Sequence, residues 1–147
     1  MLIRECMTTT LSTLKDDASL LEAAVLVRQT GKRHVPIVSA KTGAPVGIVS
    51  DRDIARLGPS DLMGDDEEQY NRVFGQTLVA SVMTKNPITM APDTPVLQAA
   101  QTMHSMKIGA ILVVENGELE GIVTISDMLS VLMDMLQTDQ PLSAAAF

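Results

Sequence analysis

The chain has 147 residues, of which 46% are hydrophobic and 20% are charged, as in an ordinary globular domain or two small units that share a core. Its net charge of −7 opposes general binding to nucleic acid, because phosphate contacts need a basic surface. With two Phe, one Tyr and no Trp, the chain also lacks an aromatic platform for stacked bases. The charge is uneven, and the net +2 of residues 1–57 makes that part the better place for a small anion.

Several kinds of protein are excluded by simple counts. The single Cys6 excludes an intrachain disulfide and a zinc cluster, and we expect a buried structural thiol. No apolar run approaches the roughly 20 residues of a membrane helix. The N-terminus is too short and too charged for a signal peptide. We therefore expect a cytoplasmic protein without a membrane association.

The first predicted elements are a short strand at 11–14 and a helix at 19–29. The helix has apolar residues at helical spacing, Ser19 and Glu22 suit a capping box at its start, and Gly31 suits its end. Two strands follow, VPIVS and PVGIVS, around a Lys-Thr-Gly turn. A second helix opens at the hydroxyl residue of SDRDIARL. In the segment 58–78 that follows, the acidic centre DDEE could be a solvated loop or the start of a short helix that runs to Phe74, and we expect a partly helical insertion.

The remainder of the chain repeats this order. CMTTTLSTLKDDASLLEAA (6–24) aligns with VMTKNPITMAPDTPVLQAA (82–100), and GIVSDRDI (47–54) returns as GIVTISDM (121–128). The offset shortens between these motifs, which places a small deletion in a hairpin turn, where deletions are tolerated. Pro95 suits a first helical turn, and Asn116-Gly117 is a strong hairpin signal. One supersecondary unit is therefore used twice.

This pattern predicts an α/β (α+β) fold made of two βαββα units. Each unit has an apolar sheet face that it cannot bury alone, so we expect the two to pack sheet to sheet about a pseudo-twofold axis, with related clefts where they meet. The predicted boundaries are residues 1–57 for the first repeat, 58–78 for the insertion, 79–137 for the second repeat and 138–147 for a C-terminal tail. A remaining apolar surface favours a homodimer.

The quoted motifs, in their order, spacing and duplication, resemble a tandem pair of CBS (cystathionine-β-synthase-type) domains, together called a Bateman module. The resemblance covers most of the chain and, with no partner domain encoded here, matches the stand-alone type. It implies a regulatory module that binds AMP, ADP, ATP or S-adenosylmethionine and acts on a target protein that the sequence does not identify. Such modules often form disc-like dimers, and no cofactor is required.

The Ser/Thr-x-x-Asp motif of each copy has two interpretations. Ser50 and Asp53, like Thr124 and Asp127, suit a capping box. Alternatively, the start of the helix presents free amide donors for a phosphate. The resemblance implies that the Asp binds a ribose while the hydroxyl residue helps to hold the ligand.

The first copy also carries a basic cluster. The cluster Lys32-Arg33-His34 could be a solvated helix end or, with Arg52, a clamp for phosphate. The resemblance supports Arg33 and His34 as phosphate contacts, with Val35 and Pro36 as the wall of an adenine slot. Thr13, in the first strand, could be present only because threonine favours β-strands, but the resemblance implies that it faces the ligand.

The second copy lacks most of this charge. Gly109, Ala110 and Ile111 align with Arg33, His34 and Val35, and Ser126 stands in place of Arg52. Thr89 aligns with Thr13. We therefore expect two unequal sites. The first should bind nucleotide more tightly, while the second takes adenosine or S-adenosylmethionine or stays empty.

No catalytic motif accompanies these residues. The sequence has no P-loop, no HExxH and no Gly-x-Ser-x-Gly elbow, so we expect a sensor and not an enzyme, with no catalytic and no metal-binding residues. Two alternatives stay open. One is a dimerisation module without a ligand. The other is a Mg²⁺ sensor that uses the acidic run DDEE at 65–68.

Overall fold

The structure is a computed structural model that describes residues 1–57 and 67–139, so the first part of the predicted insertion and most of the predicted tail lie outside it. Its helices are α1 (Leu20–Thr30), α2 (Asp51–Arg56), α3 (Glu67–Gln76), α4 (Val96–Met106) and α5 (Ile125–Asp139). Its strands are β1 (Leu14–Lys15), β2 (His34–Val38), β3 (Pro45–Ser50), β4 (Thr84–Lys85), β5 (Thr89–Met90), β6 (Ala110–Glu115) and β7 (Glu118–Thr124).

The strands form two sheets, one with the order β1-β2-β3-β4 and one with the order β5-β6-β7. In the first sheet β1 runs parallel to β2, while β2 and β4 run antiparallel to β3. In the second sheet β5 runs parallel to β6. The predicted mixed α/β fold with two similar copies is confirmed. No helix within the described ranges is long and apolar enough to cross a bilayer.

Local signals in the sequence placed the ends of several elements correctly. Ser19 and Glu22 form the predicted capping box, with the Ser19 N–H donating to Glu22 Oε2 over 2.7 Å. Gly31 ends α1 with a φ of 70°. Asn116 and Gly117 both have positive φ, as a two-residue hairpin turn requires. Pro95 is the N-cap of α4, one residue before the position predicted for it.

The first strand lies later than predicted, at Leu14–Lys15 and not at 11–14. Leu14 pairs with Ile37, and the Asp16 N–H donates to the Val38 carbonyl over 2.9 Å. In this parallel pair, the two strands donate hydrogen bonds alternately. Beyond Leu14, the next bond of the β1–β2 ladder would have to be donated by the backbone N–H of residue 36, and a proline has none. The ladder therefore stops at Leu14.

The contacts divide the chain into two compact units that do not coincide with the sequence repeats. One unit holds residues 1–9 with 89–115 and 120–139, and the other holds 10–57 and 67–88 with the turn 116–119. The leading segment of each copy is therefore grouped with the other copy. Nothing in the sequence alone indicated this exchange.

Each exchanged segment lies against the glycine of a GIV motif. Thr8 and Ile122 exchange two backbone hydrogen bonds of 2.9 and 3.0 Å, and Thr84 pairs with Ile48 in the equivalent position. A Cβ on Gly121 would lie 2.9 Å from the Thr8 carbonyl oxygen, and one on Gly47 would lie 2.3 Å from the sulfur of Met83. The repeated glycine therefore gives room for a close backbone crossing.

One other expectation is corrected. Cys6 is only partly buried, so it is not the buried thiol predicted. Met103 is buried, whereas Met106, Met133 and Met135 are exposed. His104 is exposed.

Gly121→Ala is expected to destabilise the chain by about 1–3 kcal/mol, because the new methyl group meets backbone that cannot move cheaply. Gly75→Ala is the matched control, since its Cβ would lie 3.9 Å from Leu21 Cδ2 in ordinary contact. Ala is the better helix residue by about 1 kcal/mol, so this control should stabilise. Urea unfolding measures the free energy of unfolding of both variants. An equal effect of the two changes would contradict the explanation that Gly121 allows a close approach of the Thr8 backbone.

Candidate functional site

The Ser-x-x-Asp motif of the first copy ties the end of β3 to the start of α2. The Ser50 N–H donates to Asp53 Oδ2 over 2.8 Å, and the Asp53 N–H donates to Ser50 Oγ over 3.1 Å. The predicted capping box is thus formed and uses one carboxylate oxygen. Among the described residues, the structure shows no hydrogen-bond donor to Asp53 Oδ1. The half-buried Asp53 therefore keeps one oxygen for another partner.

The second copy has the same junction between β7 and α5. The Thr124 N–H donates to Asp127 Oδ2 over 2.8 Å, and the Thr124 hydroxyl lies 3.1 Å from the same oxygen. Here the other oxygen also has a neighbour, because Thr8 Oγ1 lies 3.5 Å from Asp127 Oδ1. This distance is long for a bond between two oxygens, so the contact is weak.

The amide groups at the start of α2 are not free, and the expectation of free donors for a phosphate is wrong for this copy. The Asp51 N–H donates to the Arg33 carbonyl, the Arg52 N–H to Asp51 Oδ1 and the Asp53 N–H to Ser50 Oγ. Any phosphate would have to be held by side chains. In α5, the first amide, Ile125 N–H, likewise donates to the Gly109 carbonyl.

His34 stands at the centre of the charged groups in the first copy. Burial lowers the pKa of this half-buried imidazole, the carboxylates of Asp51 and Asp53 oppose that change, and Arg33 and Arg52 reinforce it. These four groups are thus close enough to act on His34. The structure therefore brings the predicted Arg33, His34, Arg52 and Asp53 together within one compact unit.

The strand register shows where the backbone of His34 points. His34 pairs with Ser50, and the adjacent bond from the Asp51 N–H to the Arg33 carbonyl makes this a pair without hydrogen bonds of its own. The N–H and C=O of His34 therefore point away from β3, toward the β1 side. Since β1 begins only opposite Ile37, no strand within the described ranges covers this edge at His34.

The remaining predicted residues of the first copy lie close by in the chain but differ in exposure. Thr13 is exposed just before β1, and Arg33 and Arg52 are exposed. Val35 and Pro36 are fully buried, so neither presents a surface to a ligand in this structure. Their main role is to pack in the hydrophobic core.

In the second copy, the predicted residues lie in one unit as well. Thr89 is exposed in β5 and pairs with Leu112, Gly109 and Ala110 are half-buried, and Ile111 is fully buried. Arginine is absent from the positions that match Arg33 and Arg52. The surroundings are instead acidic: burial raises the pKa of the Cys6 thiol, and the charges of Asp127 and Glu5 raise it further.

The sequence did not identify Thr8 as a neighbour of Asp127. The alignment of Met7-Thr8 with Met83-Thr84 showed that a threonine is repeated there, but only the exchange of leading segments explains the contact. No group of three or more potential metal ligands occurs among the described residues, and the acidic run at 65–68 lies partly outside them.

The lowered pKa of His34 predicts a pH dependence of stability. The unfolded chain binds this proton more readily than the folded chain, so the stabilisation is complete above about pH 6.5 and is lost as the pH falls below it. His34→Gln should lose less stability than the parent between about pH 7.5 and about pH 5.5. Denaturant unfolding at both pH values measures this, with the exposed His104→Gln as control. A His34→Gln chain with the parent's pH dependence would contradict it.

Comparisons with known proteins agree with this architecture. A family model described as "CBS domain" matches residues 3–60 and 79–134. A CBS domain-containing protein of Dictyostelium discoideum is 29% identical over 143 residues, which is 97% of this chain and 98% of that protein. The AcuB protein of Vibrio cholerae has a similar structure, with 28% identity, a TM-score of 0.74 and coverage of 96% of this chain and 98% of that one.

A further similar structure carries bound ligands. The CBS domain pair of protein MJ0100, solved in complex with 5′-methylthioadenosine and S-adenosyl-L-methionine, is 26% identical with a TM-score of 0.74. The similarity covers 92% of this chain and 98% of that one. With both repeats matched by the family model and the same fold in these neighbours, the chain belongs to the CBS domain family.

Proposed function

We propose that this chain is a regulatory module that binds adenosine-containing ligands at the Ser/Thr-x-x-Asp junctions. The observation that carries the proposal is that the two oxygens of the Asp53 carboxylate differ in their contacts. Oδ2 holds the start of α2, while Oδ1 has no donor among the described residues. The cap therefore fixes the orientation of the second oxygen and leaves it available to accept a hydrogen bond from a ligand. The structural and the binding interpretations of the motif are compatible.

A ribose suits this oxygen because its two adjacent hydroxyl groups are donors. A carboxylate oxygen has two lone pairs and accepts strong, charge-assisted hydrogen bonds. The Ser50 N–H is engaged with Asp53 and its hydroxyl oxygen accepts from the Asp53 N–H, so Ser50 keeps mainly its O–H donor for a ligand. Asp53 is therefore the residue on which ribose binding depends.

The open edge of β2 supports recognition of the base. Adenine carries an acceptor, N7, next to a donor, the N6 amino group. The N–H and C=O of His34 face the side where none of the described strands covers β2, and they form a complementary pair. In the second copy, the bond from Ile125 to Gly109 matches the bond from Asp51 to Arg33, which puts Ala110 in the same role.

The two copies should prefer different ligands. Arg33, Arg52 and His34 surround the first junction and favour a phosphate-bearing nucleotide such as AMP, ADP or ATP. At the second junction Gly109 and Ser126 stand in place of the two arginines, and Asp127 and Glu5 both act on Cys6, which favours adenosine or the cationic S-adenosylmethionine. The MJ0100 pair, which binds 5′-methylthioadenosine and S-adenosyl-L-methionine, supports ligands of this second kind.

We expect the bound ligand to act by shifting a conformational equilibrium that a target protein senses, and not by catalysis. The relative in Dictyostelium discoideum, matched over 98% of its length, is a CBS domain-containing protein. We place this action in the cytoplasm. The target itself remains to be identified by its association with the chain.

Asp53→Asn tests the ribose contact with little change in shape. The amide oxygen can still accept from the Ser50 N–H, but the group that faces the ribose becomes an NH₂ donor. Losing a charge-assisted bond of about 1.5–3 kcal/mol should weaken binding of AMP roughly 10- to 100-fold. Isothermal titration calorimetry measures the affinity.

Asp127→Asn is the matched control in the second copy. It should leave AMP binding at the first junction unchanged, and both variants should unfold at nearly the parental urea concentration because each keeps its cap. Parental affinity in Asp53→Asn would refute the ribose contact. Absence of binding by AMP, ADP, ATP and S-adenosylmethionine would refute the sensor function as a whole.

The exposed face of α5 favours a second proposal, that the chain forms a homodimer. α5 has no buried residue, and its apolar side chains lie at helical spacing on one face with about half of their surface exposed. This face consists of Ile125, Leu129, Leu132, Met133 and Leu136. An exposed apolar strip of this kind marks an interaction surface, and we propose that a second copy covers it.

Leu136→Lys should disrupt this association, because it puts a charge into the apolar face. Thr138→Lys adds the same charge on the opposite side of α5 and should have no effect. Light scattering coupled to gel filtration gives the molar mass of each. We expect a dimer for the parent and for Thr138→Lys, and a monomer for Leu136→Lys. A dimeric Leu136→Lys would exclude α5 as the interface.

A further inference from the structure

We propose that His34 takes up a proton when a phosphate-bearing adenosine ligand binds at the first junction, so that affinity for phosphorylated ligands rises as the pH falls. This inference rests on the proposed function and adds a regulation to it. The site would then respond to two signals, the concentration of nucleotide and the pH.

The geometry places His34 where a phosphate would be held. His34 lies directly opposite Ser50 in the β2–β3 pair, and in a pair without hydrogen bonds the two side chains are close and on the same face of the sheet. Ser50 in turn holds Asp53. An imidazole and the proposed ribose acceptor are thus fixed on neighbouring backbone. The phosphate of a nucleoside monophosphate is attached to the ribose and must lie within a few bonds of it.

The charges around His34 are balanced in the absence of ligand. Arg33 on its own strand and Arg52 on α2 disfavour a further positive charge, while Asp51 and Asp53 on α2 favour it. Burial then decides the outcome, and the pKa of His34 lies below its usual value. Lys15 on β1 and Lys85 on β4 are not among the described groups that shift it. At neutral pH the imidazole is therefore uncharged.

A phosphate changes this balance. It brings negative charge and pairs with Arg33 and Arg52, which removes the repulsion that these groups exert on an imidazolium. The protonated His34 then donates a hydrogen bond to a phosphate oxygen, and the proton comes from solvent. Thermodynamic linkage requires that affinity increase with proton concentration, by at most about tenfold per pH unit for one proton. Adenosine, without a phosphate, gives no such coupling.

The chain allows a direct test because it has only two histidines. In a His104→Gln background, the remaining imidazole NMR signal belongs to His34, and its titration gives the pKa with and without AMP. We expect AMP to raise this pKa and adenosine to leave it unchanged. Calorimetry in two buffers of different ionisation enthalpy counts the protons taken up on binding, between about pH 6 and about pH 8.5.

His34→Gln in the same background removes the titrating group. Since AMP itself gains a proton near about pH 6, the parent is compared with this variant at each pH. Part of the pH dependence of the affinity comes from protonation of AMP itself. We expect the remaining pH dependence to disappear in His34→Gln. AMP binding with no change in the His34 signal, or equal proton uptake in the variant, would overturn the inference alone. Failure of AMP, ADP, ATP and S-adenosylmethionine to bind at any pH would overturn the proposed function together with it.

Discussion

The hydrogen bond from a strand-end amide to an Asp one helical turn later is the constraint on which both copies depend. It joins Ser50 to Asp53 and Thr124 to Asp127, with the same length of 2.8 Å in each. Because Oδ2 is held, the other oxygen has little freedom to rotate away. Capping and binding are often treated as competing explanations of such a motif. Here the cap supplies the preorganisation that a hydroxyl-binding carboxylate needs, since a ligand does not have to order it.

Much of the fold could be predicted because its signals are local. A capping box, a glycine after a helix and an Asn-Gly turn each depend on a few consecutive residues, and the structure has all of them. The exchange of leading segments could not be predicted in this way. It depends on which of two nearly equivalent sheets the segment 1–9 joins, and a duplicated sequence offers both the same partners.

The candidate site was predicted less completely, for two physical reasons. The sequence predicted the capping box of Ser50 and Asp53, which the structure has, but it does not show that the backbone N–H groups of Asp51, Arg52 and Asp53 already have acceptors. It also does not show that Val35 and Pro36 lie in the core. Both facts move the expected contacts with a ligand from the helix start to side chains and to the backbone of His34.

Pro36 affects both the pairing of β2 and the proposed site beside His34. Its missing N–H ends the β1–β2 ladder at Leu14, whereas the aligned Leu112 has an N–H and pairs with Thr89 in β5. The first copy therefore leaves a longer stretch of β2 uncovered beside His34 than the second leaves beside Ala110. An open edge in a folded chain carries a cost unless water or a ligand satisfies its polar groups. The copy that carries the arginines thus also has the wider backbone edge, which leaves more room for the proposed contact with a base beside the charges that suit a phosphate.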